Sequence, residues 1–172
     1  DEHSLFFRKC DSYYAETPGP RMRWIIMPAL FRVLYFCGLL LKEARMLPYG
    51  NVNLAGKYID ILQSKGPKSR RIFISDELVS YLMLYDSQVS AMLPEREYFF
   101  PADIDKPYSV QALCYNFGLI WKKAFPEWSG KMPRIYDLRH HFAWAAINRW
   151  AREGTDVNTM LPYLMRYMGH NC

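Results

Sequence analysis

A chain of 172 residues is long enough to bury a core of its own without disulfides and too short for two full domains. With 51% hydrophobic and 23% charged residues it has the composition of an ordinary globular domain, which excludes disordered, collagenous, coiled-coil and low-complexity chains. Its 22 Lys and Arg against 17 Asp and Glu leave a net charge of +5, which permits a polyanionic partner without requiring one.

The most apolar stretch, residues 22–41, has the length of a membrane span but carries Arg23, Arg32 and Pro28, so it reads as a buried helix and no membrane partner is expected. The opening Asp1-Glu2-His3-Ser4 lacks the basic head and apolar run of a signal peptide. Cys10, Cys37, Cys114 and Cys172 are far apart with no Cys-x-x-Cys spacing, the pattern of reduced thiols in a cytoplasmic protein.

In chain order, residues 2–14 place Leu5, Phe6 and Cys10 at helical spacing before Thr17-Pro18-Gly19-Pro20 breaks the pattern. From Arg21 a 3.6-residue rhythm runs through Met22, Ile25, Ile26, Leu30, Val33, Leu34 and Cys37 to Gly38, with Pro28 as a kink. Residues 43–47 give one more helical turn. The period then changes to short strands at 52–54, 58–62 and 71–74, with Lys65-Gly66-Pro67-Lys68 as a hairpin turn. Ser75 is a natural N-cap, followed by Asp76 and Glu77, for a helix reaching about residue 91. Three further amphipathic helices are predicted at 109–125, at 137–153 ending on Gly154, and at 156–168 ending on Gly169. The fold class is therefore α+β, mainly helical, with a small antiparallel three-stranded sheet.

Three segments carry candidate chemistry. Lys65, Lys68, Arg70 and Arg71 gather four cations at the hairpin, either a groove-entering or phosphate-touching tip or simply a solvated turn. In the run from Pro133 to Ala143, Asp137 as N-cap places Arg139 and His140 in a first helical turn. Free N–H groups, the dipole and a guanidinium fork there make a seat for phosphate. Alternatively Arg139 pairs with a carboxylate and one of His140 and His141 packs. In Met168-Gly169-His170 a helix stop leaves His170 just beyond it, as a loop residue or a functional one. Adjacent histidines on a helix diverge by about 100°, so His140, His141, His170 and Cys172 have poor spacing for zinc, and no metal is expected. The absence of Gly-x-Gly-x-x-Gly, P-loop and Gly-x-Ser-x-Gly patterns excludes the usual nucleotide and serine-hydrolase sites.

Taken in order, these pieces resemble the catalytic domain of the tyrosine recombinases, the phage integrase family. The resemblance rests on four segments: residues 34–44, which match the first box; the lysine hairpin, residues 64–70; Tyr136-Asp137-Leu138-Arg139-His140, the second box; and Met168-Gly169-His170. It implies a DNA-binding, site-specific recombinase or integrase of a mobile element, which breaks and rejoins duplex DNA through a 3′-phosphotyrosyl link without metal, nucleotide or other cofactor. The transition state carries extra negative charge on phosphorus-bound oxygens, so fixed cations supply much of the stabilisation. By this resemblance Lys65 donates a proton to the leaving 5′-oxygen, Arg139 holds the scissile phosphate bidentately, His170 adds a hydrogen bond, and Tyr136 takes a position usually held by histidine. Lys68, Arg70, Arg71 and His140 are the accompanying DNA-binding candidates.

Two departures follow from the same resemblance. Leu40 stands where the first box carries a phosphate-binding arginine, a loss worth about 10² to 10³ in rate. None of the thirteen tyrosines follows His170, where the family's nucleophile lies, and Tyr163 and Tyr167 fit core-facing or cap positions of the preceding helix. Residues 1–172 are thus expected to be one catalytic domain, truncated before the nucleophile helix, lacking the N-terminal DNA-clamping domain and inactive as it stands. Duplex DNA is the expected partner, and the full-length protein would self-associate as a synaptic tetramer. The alternative is a catalytically dead recombinase-fold module for DNA binding or assembly.

Overall fold

The structure, a computed structural model, describes residues 2–62 and 69–169. Its first helix, α1 (Glu2–Glu16), buries Phe6, Phe7, Cys10 and Tyr14, which recur every three or four residues and so form one face. That face packs on α2 (Arg23–Cys37), in which Ile25, Ile26, Met27, Ala29, Leu30, Phe31, Val33 and Leu34 are all buried. A helix apolar on every side has to be surrounded, and α2 also touches α4 and α6, introduced below. Its regular turns begin two residues later than the rhythm implies, because Arg21 and Met22 hold left-handed φ angles of 54° and 52°. Pro28 sits inside α2 without ending it. No helix among the described residues is long and apolar enough to cross a membrane.

Gly38 closes α2 at φ 62°, its N–H bonded to the Leu34 carbonyl at 3.1 Å. Here only glycine fits: a Cβ would lie 2.5 Å from Cδ1 of Phe142. The short helix α3 (Leu41–Arg45) follows, then a three-stranded antiparallel sheet, β1 (Val52–Asn53), β2 (Tyr58–Ile61) and β3 (Arg70–Phe73), in that order. The third strand starts one residue before its expected beginning, at Arg70. Ile59 pairs with Ile72 and both point into the core.

Ser75 caps α4 (Asp76–Met92) by accepting the Leu78 N–H, and Ser109 caps α5 (Val110–Ala124) by accepting that of Ala112. Between them lies a two-stranded ladder that the pattern does not foretell, β4 (Pro101–Asp103) and β5 (Lys106–Pro107). Strands of two or three residues with a proline in each offer no alternation to read. A hydrogen bond of 2.6 Å from the Tyr14 hydroxyl to Asn116 Oδ1 joins α1 to α5 inside the core. The remaining helices, α6 (Asp137–Arg152) and α7 (Val157–Tyr167), bury few side chains: Leu138 and Arg139 from one, Leu164 from the other.

Candidate active site

Period-two alternation decides where the two arginines of β3 go. Arg70 shares the face of Ile72 and lies opposite Ile61, so its side chain turns inward; Arg71, opposite Asp60, turns out. Arg70 donates from Nη1 and Nη2 to Oε1 and Oε2 of Glu43, each at 2.8 Å, and the two side chains are only 9% and 10% exposed. Glu43 is the third residue of α3, and its Oε2 also accepts the Leu40 N–H at 2.8 Å, which ties the carboxylate to the start of that helix. A buried pair of this kind is costly to break one-sidedly, because the partner left behind is an uncompensated charge. Arg70 is therefore not part of a solvated hairpin tip. Arg71 is exposed, donates to both Asp60 oxygens at 2.8 and 2.9 Å, and stacks over Tyr58 at 3.6 Å.

Arg139, buried near the start of α6, reaches across to two other helix ends. Its Nη1 donates to the carbonyl of Gly38 at 2.6 Å and its Nη2 to the carbonyl of Met168. Gly38 and Met168 are the C-caps of α2 and α7, where carbonyls point outward and the helix dipole favours a cation. Burial lowers the pKa of the guanidinium; Glu43 acts against that lowering and Arg70 adds to it, so the three groups share one electrostatic neighbourhood. Gly169, next in the chain after Met168, has φ 74°, and a Cβ there would sit 3.0 Å from Arg70 Nη1. The first-box turn, the inward arginine of β3, the second-box arginine and the Met168-Gly169 turn thus meet in one place.

The helix start differs from the expected seat. Tyr136 is the N-cap and makes no side-chain cap bond, while Asp137 is the first helical residue and takes the Arg134 N–H at 2.8 Å on its carboxylate. The N–H groups of Asp137, Leu138 and Arg139 bond the carbonyls of Arg134, Ile135 and Tyr136. These tight three-residue closures leave those three backbone donors engaged rather than free for an anion. Tyr136 is exposed at the mouth of the turn. His140 is exposed and lines a separate aromatic hollow with Trp121, Trp128 and Trp144. His141 packs: its Nε2 is 2.9 Å from the Tyr35 hydroxyl and its ring stacks on that of Tyr35.

Leu40 is 41% exposed and lines a hollow with Met46, Pro48 and Leu62; it brings a backbone N–H to Glu43 and no charge. Lys65, Lys68 and His170 lie outside the described residues. Tyr167 is largely buried and stacks on Phe142, as its spacing implies, but Tyr163 is 68% exposed: α7 has so little packed against it that its outward face stays in solvent. No group of three or more His, Cys, Asp and Glu among the described residues could hold a metal ion. Glu43 escapes a reading by motif chemistry, since an acidic residue in a first helical turn has an ordinary explanation. The inward turn of Arg70 was within reach of the Arg70-Ile72-Ile74 alternation.

The chain is similar in sequence and in fold to known recombinases. A Sinorhizobium fredii (strain NBRC 101917 / NGR234) protein named as integrase/recombinase y4rE is 28% identical over 156 residues, covering 90% of this chain and 50% of that protein. A second from the same organism, y4rB, is 29% identical over 151 residues, covering 82% and 46%. The chain therefore spans about half the length of the curated relatives it matches. The fold is that of XerA recombinase, with a TM-score of 0.74 at 22% identity over 100% of this chain and 54% of that one. It is also that of a lambda integrase dimer bound to a COC′ core site, with a TM-score of 0.64 at 13% identity over 97% and 56%. A profile of the phage integrase family matches residues 20–171, and the chain belongs to that family.

Proposed function

We propose that this chain is the phosphate-gripping portion of a site-specific tyrosine recombinase catalytic domain, acting on duplex DNA in the cytoplasm. One observation carries the reading: Arg139 of the second box is held by the carbonyls of Gly38 in the first-box turn and of Met168 beside the Gly-His turn. Three segments far apart in sequence are thereby locked around one guanidinium. A fork fixed at helix ends is oriented before the substrate arrives, which is what stabilising a developing phosphorane charge requires.

In this reading Arg139 contacts the non-bridging oxygens of the scissile phosphate, Tyr136 at the rim orients it, His170 adds a hydrogen bond to it, and Lys65 protonates the leaving 5′-oxygen. Arg71 and Lys68 grip flanking phosphates. None of the chain's own tyrosines is assigned to the attack, and neither metal nor nucleotide is needed. In the full-length protein the domain works as an assembly of copies, as a lambda integrase tetramer does on a Holliday junction.

Duplex DNA titrated over a salt series tests the reading. Affinity should fall steeply as salt rises, and Arg139→Ala should weaken binding and flatten the dependence by about one unit of slope. Salt-independent binding, or an Arg139→Ala variant that binds as the parent does, rejects it.

Leu40 favours a second reading, a DNA-binding or assembly module that has lost its chemistry. Restoring arginine there (Leu40→Arg) in the full-length protein separates the two: covalent protein–DNA adduct on a suicide substrate supports the recombinase, and its absence supports the module.

A further inference from the structure

Resting on the recombinase reading, we infer that Arg70 is a positioning residue for phosphate binding, one that occupies the carboxylate of Glu43 and so keeps Arg139 directed to DNA. The pair is a two-point fork, 2.8 Å on each arm, between side chains about nine-tenths buried. A carboxylate that deep requires a cation, since desolvation without a partner is expensive. Leu40, whose own N–H binds the same Glu43 oxygen, has none to give. Among the described residues a second cation lies close by: Arg139 is bonded to the carbonyl of Met168, next in the chain to the Gly169 that Arg70 abuts, and Glu43 favours its charge while Arg70 opposes it.

The charge count follows from these groups. Among the described residues, Arg139 and Arg70 against Glu43 leave one net positive charge beside the Gly38 and Gly169 turns. Without Arg70 the sum is zero, and the stranded carboxylate competes with the phosphate for the Arg139 fork. A Cβ on Gly169 would come within 3.0 Å of Arg70 Nη1, so the guanidinium that occupies Glu43 lies beside the turn whose neighbouring carbonyl, that of Met168, seats Arg139. Its Nε is buried and makes no hydrogen bond, which leaves the Glu43 fork as the contact that fixes its direction.

A purely structural pair and a charge-setting pair differ in sign. Breaking the pair from either side lowers stability in both cases. For DNA, however, Arg70→Met should weaken binding roughly tenfold and lower the salt slope by about 1, while Glu43→Gln should tighten binding and steepen the slope by a similar amount. Arg70→Met combined with Glu43→Gln should return the slope to that of the parent, and Arg70→Lys, which keeps the charge, should retain it. The measurement is fluorescence anisotropy of a labelled duplex over a salt series, with a urea melt of each variant to establish that it is folded. If Arg70→Met does not fold, the steepened slope of Glu43→Gln still decides the matter. Folded variants whose slopes all equal the parent's, in a protein whose binding Arg139→Ala impairs, overturn this inference alone. A parent chain without salt-dependent binding overturns it together with the recombinase reading.

Discussion

The helical layer of α1, α2, α4 and α5 and the junction of α3, β3, α6 and α7 are built on different physics. The layer is held by apolar burial: Phe6, Phe31 and Phe117 meet at its centre with ring centroids 5.3 to 6.0 Å apart. Its stability is spread over many weak, non-directional contacts, to which the buried Tyr14–Asn116 hydrogen bond adds a single directional tie between α1 and α5. At the junction a few strong directional bonds replace area: the Arg70–Glu43 fork, and the Arg139 bridge from helix end to helix end. A region held by charge keeps cations at fixed positions with little side-chain packing to spare. In the function proposed above, those fixed cations are what meet the DNA phosphate.

The contrast is broken most severely from the apolar side. Phe31→Ala, at a fully buried position, should cost about 3–5 kcal/mol in a urea melt. DNA affinity per folded molecule should stay at the parent value. Gly38→Ala attacks the point where the two regions join. The left-handed φ alone costs about 1–3 kcal/mol, and the Cβ runs into Phe142 besides. Because the Gly38 carbonyl seats Arg139, this variant should lose both stability and DNA affinity. If it loses stability only, the junction is not the binding region.

A smaller effect comes from the seam between α1 and α6. Burial, with His141 adding to it, lowers the pKa of His3 to about 4, and burial lowers that of His141 as well. The rings lie 3.8 Å apart. In the unfolded chain both would take up protons near pH 6.5, whereas in the fold they resist. The unfolded state therefore binds more protons between about pH 6.5 and 4, and stability is lost as pH falls through that window. The melting temperature should be level above pH 7 and decline below 6.5, and His3→Gln should make the decline shallower.

How far these regions could be read from the sequence follows the same division. The helices of the layer were legible because each buries one face or all of its faces, and Ser75 and Ser109 mark their starts. The first-box segment, Arg70 and Arg139 were legible as parts of motifs. Their joint placement was not, because Arg139 is seated by main-chain carbonyls, and a carbonyl has no letter in a sequence. Asp137 misled for a related reason: an acidic residue at a helix start reads as a cap, yet the turn before it closes on its own backbone and moves the cap to Tyr136. Arg70 and Arg71 read as two of a kind by composition, although a strand sends neighbours to opposite faces.

That last pair gives the smallest and most discriminating effect. Arg71 sits on the solvent face, paired with Asp60 and stacked on Tyr58, in contacts that water and salt largely screen. Arg71→Ala should leave the unfolding midpoint where it is and lower the DNA salt slope by about 1, the signature of one lost phosphate contact. Arg70→Met, one residue earlier, should move both quantities. If the two variants behave alike, then either the exposed arginine carries structural weight that its screened contacts do not account for, or the buried one touches no more than a surface residue does. In both cases the division between an apolar layer and a charged junction would have to be redrawn at β3.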